Sequence, residues 1–576
     1  MRKLRSILSL LLVLLFVCSC GIESSEPVVE TGQESNLTQI AYVPLDDRPN
    51  NSRCMEYMAQ SLGYELLMPD ADLYATRLNN QPLNSNGTSC GDRAALYEWL
   101  VRQEKGGCDR YIIFTDQLLS GGLVNSRAMS KNEPVTLSDG TVMTETELLD
   151  GIFELLGSDS GNRVFLLDTV MRLAPTVGYD KWTMEDYTNV RAWACVPRCV
   201  CEMNPKAIAA GYCTGADGEY ISPEAYGVSE DTLSEYLKSR ERKLQLSSYM
   251  LDAIDGDVFS VLMGIDDSSE ENCIQKNEIE YFESRMGENG ALLSGVDDMA
   301  YKALAKMYLE DTDWQGSDAQ LCFFGDNEGR PASAYDFRAL DEILSDHFEY
   351  FGLNKTENAE LVFAVLTAPR EEAKKSEYLD DFFSAIEDAF KDNKAVVLMD
   401  ASNGAYGEEL RDRLIEDTEL GKLISYAGTL DLANLTGVAL SHGVSRYALL
   451  KCGGDTEYTQ RGFERCMVDV LVKDLCYRTV IRAETAQLVR DMGGNPDNFY
   501  DPEIDENAVL DYSVQRMDEL TVQVLDNLCS SNFISSLEPY TEAGWGGIEI
   551  TDYCFTWHRT FEFDFNVYVG NATDLH

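Results

Sequence analysis

Several short segments of the chain bring acidic residues, arginines and amides together in combinations suited to acid–base chemistry or to gripping hydroxyl groups. The densest is Pro44-Leu45-Asp46-Asp47-Arg48-Pro49-Asn50, two acids and an arginine between prolines that fix the turn. Others are Asp116 followed by Gly121-Gly122 and Ser126-Arg127; Asp168 followed by Met171-Arg172; Asp266-Asp267 with Glu270 and Asn272; Asp297-Asp298; and Asp400 with Asn403-Gly404. The tail adds Trp557-His558-Arg559-Thr560-Phe561-Glu562. Glycoside hydrolysis needs a pair of carboxylates about 5 to 9 Å apart. One stays protonated to assist the leaving group while the other works ionised. In this reading Asp46 or Asp47 is one carboxylate, with Arg48 drawing its pKa down. Asp116, Asp267 or Asp400 supplies the other, and Arg48, Arg127, Arg172, Asn403, Arg559 and Glu562 bind and orient the substrate.

Each segment also has a purely structural reading. Asp46, Asp47 and Arg48 can satisfy one another and cap the next helix. Asp297 and Asp298 can complement a helix dipole. The aromatic tail can be a packed amphipathic strand. The same acids can hold Ca²⁺ or Mg²⁺, so a divalent cation stays possible while no other cofactor is expected. The four histidines, His347, His442, His558 and His576, show no metal-ligand spacing. No Gly-x-Ser-x-Gly elbow, phosphate loop or Gly-x-Gly-x-x-Gly turn is present, which lowers the weight of serine hydrolase, nucleotide hydrolase and dinucleotide chemistry.

The elements that must position these residues alternate. Apolar blocks at Ile40 to Leu45, Tyr111 to Thr115, Val164 to Asp168, Val258 to Met263, Leu321 to Phe324, Leu361 to Leu366 and Ala395 to Met399 suit strands buried on both faces. Helical periodicity runs through 93–102, 233–254, 297–309, 378–390, 408–415 and 467–490. This pattern predicts an α/β fold with a mainly parallel sheet, barrel-like (TIM-like) in preference to a doubly wound open sheet. The chemistry-bearing segments follow strands, where working residues of such folds gather. The α/β domain spans 40–492, with a loop-rich insertion at about 178–230. Residues 493–576 form a C-terminal helix and a β-rich extension.

The N-terminus predicts export. Arg2, Lys3 and Arg5 precede an apolar run from Leu8 to Val17, too short to span a bilayer, which takes about 20 residues. It closes in Val17-Cys18-Ser19-Cys20-Gly21, a pattern similar to a bacterial lipobox, so residues 1–20 are expected to be a lipoprotein signal peptide with Cys20 carrying lipid. Residues 21–39, rich in Ser, Glu, Thr, Asn and Gln with little to bury, are expected to be a flexible tether. The protein is thus expected at the outer face of the cell membrane, anchored through its N-terminal lipid. A net charge of −52 argues against nucleic acid, whose binding needs clustered Lys and Arg, and none is expected as a partner. Cys195, Cys199, Cys201 and Cys213 do not match a zinc spacing and suggest local disulfides or free thiols.

The string Tyr42 to Asn50 resembles the opening signature of the bacterial proteins grouped as domain of unknown function 4127. Asp116 with Gly121-Gly122-Leu123 and Ser126-Arg127, Met171-Arg172, Asp266-Asp267, Asp400 with Asn403-Gly404, and Arg559 to Glu562 follow in the same order. The resemblance implies one continuous α/β unit from about Ile40 to the end, and no reaction. Where the family carries Tyr-x-Gly-Trp-Asn-Thr, this chain has Tyr426-Ala427-Gly428-Thr429-Leu430-Asp431 with Asn434 beyond.

The function expected is therefore an extracytoplasmic hydrolase of glycans or a similar polyhydroxylated substrate. The alternatives are a lipid-tethered solute-binding protein without catalysis and a divalent-metal-dependent hydrolase.

Overall fold

The computed structural model describes residues 37–570 apart from 255–256, 270–272, 288, 332 and 429–431. The signal segment with Cys20, nearly all of the tether, Glu270, Asn272 and the stretch Thr429 to Asp431 lie outside the described residues. Among the described residues no helix is long and apolar enough to cross a membrane.

Eleven strands form two parallel sheets. The first contains β1 (Thr38–Val43), β2 (Tyr64–Leu67), β3 (Arg110–Phe114), β4 (Arg163–Val170), β5 (Phe259–Ile265) and β6 (Gly290–Ser294), in the order β2-β1-β3-β4-β5-β6. The second contains β7 (Ser317–Phe324), β8 (Leu353–Lys355), β9 (Leu361–Thr367), β10 (Ala395–Ala401) and β11 (Leu423–Ala427), in the order β8-β7-β9-β10-β11. Both sheets share one winding: the chain starts on a central strand, steps outward once, then crosses back and runs to the far edge.

The parallel α/β class is the one expected from the sequence. The barrel-like closure is not formed, because each sheet is open: β2 and β6 end the first, and β8 and β11 the second. The count of strand–helix units is written in hydrophobic periodicity, but closure depends on whether the terminal strands pair, and periodicity carries no such signal. All seven expected strands are present. The four not expected, β2, β6, β8 and β11, are the sheet edges, and none exceeds five residues. So short a run offers too few residues for a two-faced apolar pattern.

Alternate residues of the first sheet enter two cores. Ile40, Tyr42, Phe114, Leu167 and Leu262 face one, and Ala41, Val43, Ile113, Leu166 and Met263 face the other, as the two-residue period of a strand requires. Helix α1 (Arg53–Ser61) follows β1, and the long α2 (Glu230–Ala253), capped at Ser229, lies with the second core. Helix α3 (Met299–Asp311) packs across β3, β4 and β5, and contacts α4 (Leu432–Lys451), which covers β10 and β11. This helical layer joins the two sheets in one apolar cluster.

The expected helix over 467–490 is continuous but includes a π-helical stretch, Lys473–Ile481. The tail forms an antiparallel pair, β12 (Gly547–Phe555) and β13 (Phe563–Gly570). Their connection carries Trp557 to Glu562. In the insertion, Cys195, Cys199, Cys201 and Cys213 are free thiols.

Candidate functional site

Beyond β1 the chain turns sharply between Pro44 and Pro49. Asp46, fully buried, accepts hydrogen bonds from the Arg48 backbone N–H at 3.1 Å and from Arg48 Nε and Nη2 at 3.0 and 2.7 Å. Asn51 Nδ2 donates to the same carboxylate at 3.0 Å. This local cluster is self-satisfied, but only on one edge of the guanidinium. On its other edge, Arg48 Nη1 and Nη2 donate to the two oxygens of Asp297 at 2.8 and 2.6 Å. Asp297 stands just past the carboxyl end of β6. A fork with a carboxylate on each side is rigid, and rigidity is what a positioned binding group needs.

Three more arginines join Arg48 around one cavity of about 250 Å³. Arg127 Nε donates to Asp266 at 2.9 Å, with Nη2 adding a second bond. Arg172 Nη1 donates to Asp267 at 3.1 Å, while its remaining nitrogens reach the Ala174 and Pro175 carbonyls. Arg559 donates to Glu562 at 2.8 Å. Asp336, Tyr335 and Asn434 complete the polar wall. Four arginines against Asp266, Asp267, Asp297 and Asp336 leave the lining formally neutral, with Asp46 and Glu562 behind it. Burial raises the Asp297 carboxyl above the usual carboxylate range, against the pull of Arg48. Burial likewise lowers the Arg127 guanidinium, against Asp266.

Trp557 and Phe561 supply the aromatic surface. The guanidinium carbons of Arg48 and Arg559 lie 5.0 and 4.7 Å from the Trp557 ring centroid. Beneath the indole, Nε1 donates to Asp47 at 2.6 Å, and the Thr76 backbone N–H donates to the same oxygen at 3.1 Å. Burial pushes the Asp47 carboxyl up to about 6 despite those two bonds. Trp557 and His558 have φ of 59° and 50°, a left-handed backbone that costs bulky residues on the order of 1–3 kcal/mol each. Surrounding bonds hold it: Gln81 Nε2 donates to the Trp557 carbonyl at 2.7 Å, and the Phe499 N–H to the His558 carbonyl at 2.8 Å.

The residues singled out in the sequence therefore separate. Arg48, Arg127, Arg172, Asp267 and Arg559 line the cavity, with Glu562 behind Arg559. Asp46 and Asp47 anchor Arg48 and Trp557 from below. Asp116 lies elsewhere, in a buried group where Lys243 Nζ donates to it at 2.6 Å and also to Asp168, and Thr169 donates at 2.9 Å. Asp400 and Asn403 line a different cavity, on the second sheet. Asp297, for which both a helix-dipole role and a place among the acidic segments were open, belongs to the site. Its signal was its position after a strand, but that strand is the unmarked edge β6. Asp336 and Tyr335 had no signal at all, since no strand immediately precedes them. Among the described residues no group of three or more His, Cys, Asp or Glu side chains is placed to hold a metal ion.

A doubly wound parallel α/β protein with an arginine–aspartate cavity at the carboxyl ends of its strands is the class that fold and site define. The family model described as "Protein of unknown function (DUF4127)" matches residues 40–566, and the chain belongs to that family. No curated protein and no solved structure matches it.

Proposed function

We propose that this protein is exported, held at the outer face of the membrane by lipid on Cys20, and hydrolyses glycans or a similar polyhydroxylated substrate in the arginine–aspartate cavity. One observation carries the substrate class: a formally neutral wall of guanidinium–carboxylate pairs beside Trp557 and Phe561. Planar paired donors and acceptors match vicinal hydroxyls, and aromatic faces cover the apolar side of a sugar ring. A phosphate or carboxylate ligand would have to displace a carboxylate from each arginine. Within this reading Asp297, raised by burial, leaves the Arg48 fork and takes a proton from solvent as the substrate enters, and then acts as the general acid. Asp267, the more exposed carboxylate at 34% against 26%, is the base or nucleophile.

The test is release of reducing ends from oligosaccharides by the mature protein and by D267N and D297N. Turnover is expected to fall roughly a thousandfold or more in either variant, with the melting temperature nearly unchanged in D267N and lower in D297N, which removes one half of the Arg48 fork. Turnover at the wild-type rate in both variants overturns the assignment. A second reading, capture of a glycan without catalysis, is favoured by the pairing of Asp266, Asp267 and Asp297 with arginines. Its mark is ligand-dependent melting without product.

A further inference from the structure

The second sheet ends in a cavity of its own, of about 260 Å³, beyond the carboxyl ends of β10 and β11. Asp400 belongs to the end of β10 and is 5% exposed. Its Oδ1 accepts the Ser402 backbone N–H at 3.0 Å. Among the described residues no cation pairs with it: burial raises its pKa, Ser402 opposes this, and the other nearby charge is Asp474. This sets it apart from Asp46, Asp116, Asp266, Glu145 and Glu278, each buried against an arginine or lysine.

The two arginines of the cavity wall are engaged elsewhere. Arg478 pairs with Asp474 at 2.6 Å, and the other Asp474 oxygen accepts the Gly428 N–H at 2.9 Å. Arg411 donates to the Leu475 carbonyl at 2.8 Å, to Asp412 at 2.7 Å and to Gln523 at 3.3 Å. The backbone is irregular on two sides. The π-helical stretch Lys473–Ile481 supplies Leu475, Arg478 and Thr479, and Asn403 and Gly404 are both left-handed, with φ of 52° and 78°. π-Helical turns and strained loops concentrate at functional sites. The ring of Tyr426 forms an aromatic wall.

We propose that this cavity is a second binding site, distinct from the arginine–aspartate cavity, that takes a small organic cation through a primary ammonium group held by the Asp400 carboxylate. A buried carboxylate without a counter-ion is costly, and a ligand ammonium supplies the missing charge and hydrogen bonds. Neutral polyols offer no such compensation.

The experiment is calorimetric titration of the mature protein with ethanolamine near neutral pH, with ethylene glycol as the neutral comparison. Ethanolamine is expected to bind and to raise the melting temperature, and ethylene glycol to do neither. D400N is expected to weaken ethanolamine binding by roughly tenfold or more, about 1.4 kcal/mol. Should D400N fail to fold, T479F, which fills the cavity from the π-helical stretch, is expected to abolish binding. Absence of ethanolamine binding overturns the proposal, as does binding that D400N or T479F leaves unchanged. D267N is expected to leave the ethanolamine response intact, so the two cavities are tested separately.

Discussion

Arg48 and Asp297 lie 249 residues apart in the chain and meet in a bidentate pair at 2.6 and 2.8 Å. The same guanidinium is gripped from behind by Asp46. The start of the first sheet is thereby fastened to its last edge across the mouth of the cavity. R48M leaves the buried Asp46 without its cation and is expected to cost roughly 3–5 kcal/mol. R48K keeps the charge but cannot serve two carboxylates at once, and should fall between R48M and wild type. Urea denaturation of the three proteins measures this, and equal midpoints would remove the role assigned to the fork.

The second prediction separates Asp116 from the site. Asp116 and Asp168 share Lys243 in a buried group. K243M strips the cation from both and is expected to destabilise by at least roughly 3 kcal/mol. K243M/D116N/D168N should recover part of that loss. D116N is expected to bind cavity ligands like wild type once folded. A selective loss of ligand binding in D116N, at unchanged stability, would return Asp116 to the functional set.

A third prediction concerns pH. Burial holds the Asp47 carboxyl at about 6 in the folded protein, against an ordinary 3.8. Between those values the folded state binds more protons than the unfolded state, so this group makes stability fall as pH rises from about 4 to about 6. Asn at this position still accepts from the Trp557 indole but does not titrate. D47N is therefore expected to gain stability relative to wild type across that interval, and to show no further relative change above it. Parallel stability curves for the two proteins between pH 4 and 7 contradict this.

Trp557 supports a fourth. W557F keeps an aromatic ring over the cavity but leaves Asp47 without its side-chain donor. A lost bond to a buried acceptor costs about 1–3 kcal/mol, read as a lower denaturation midpoint. W557A should in addition abolish glycan-dependent melting shifts, whereas W557F retains part of them. Full retention of those shifts in W557A would exclude the indole as a ligand platform.

The anchor gives a fifth. With Cys20 as the lipid site, the full chain should partition with detergent on phase separation, and C20S should remain in the aqueous phase. Equal partitioning of the two proteins removes the lipid anchor from the account.

Hydrophobic periodicity alone determined the parallel α/β class and seven of the eleven sheet strands, because a strand buried on both faces must be apolar along its whole length. It also marked Arg48, Arg127, Arg172, Asp267 and Arg559, since residues just past strands or in an aromatic–charged tail stand out locally. Tertiary structure alone decided the rest. Which edges stay open, and hence that there are two doubly wound sheets and no barrel, depends on pairings between strands far apart in the chain. The same holds for the site. Asp116 and Asp267 are each acids near a strand end, but a lysine on α2 neutralises the first, and the second opens on a cavity. Asp297 could equally have served only its own helix, and Arg48, from far away in the chain, decides that it belongs to the cavity. A charged residue's chemistry is set by its partners and its burial, and neither is a property of its neighbours in sequence.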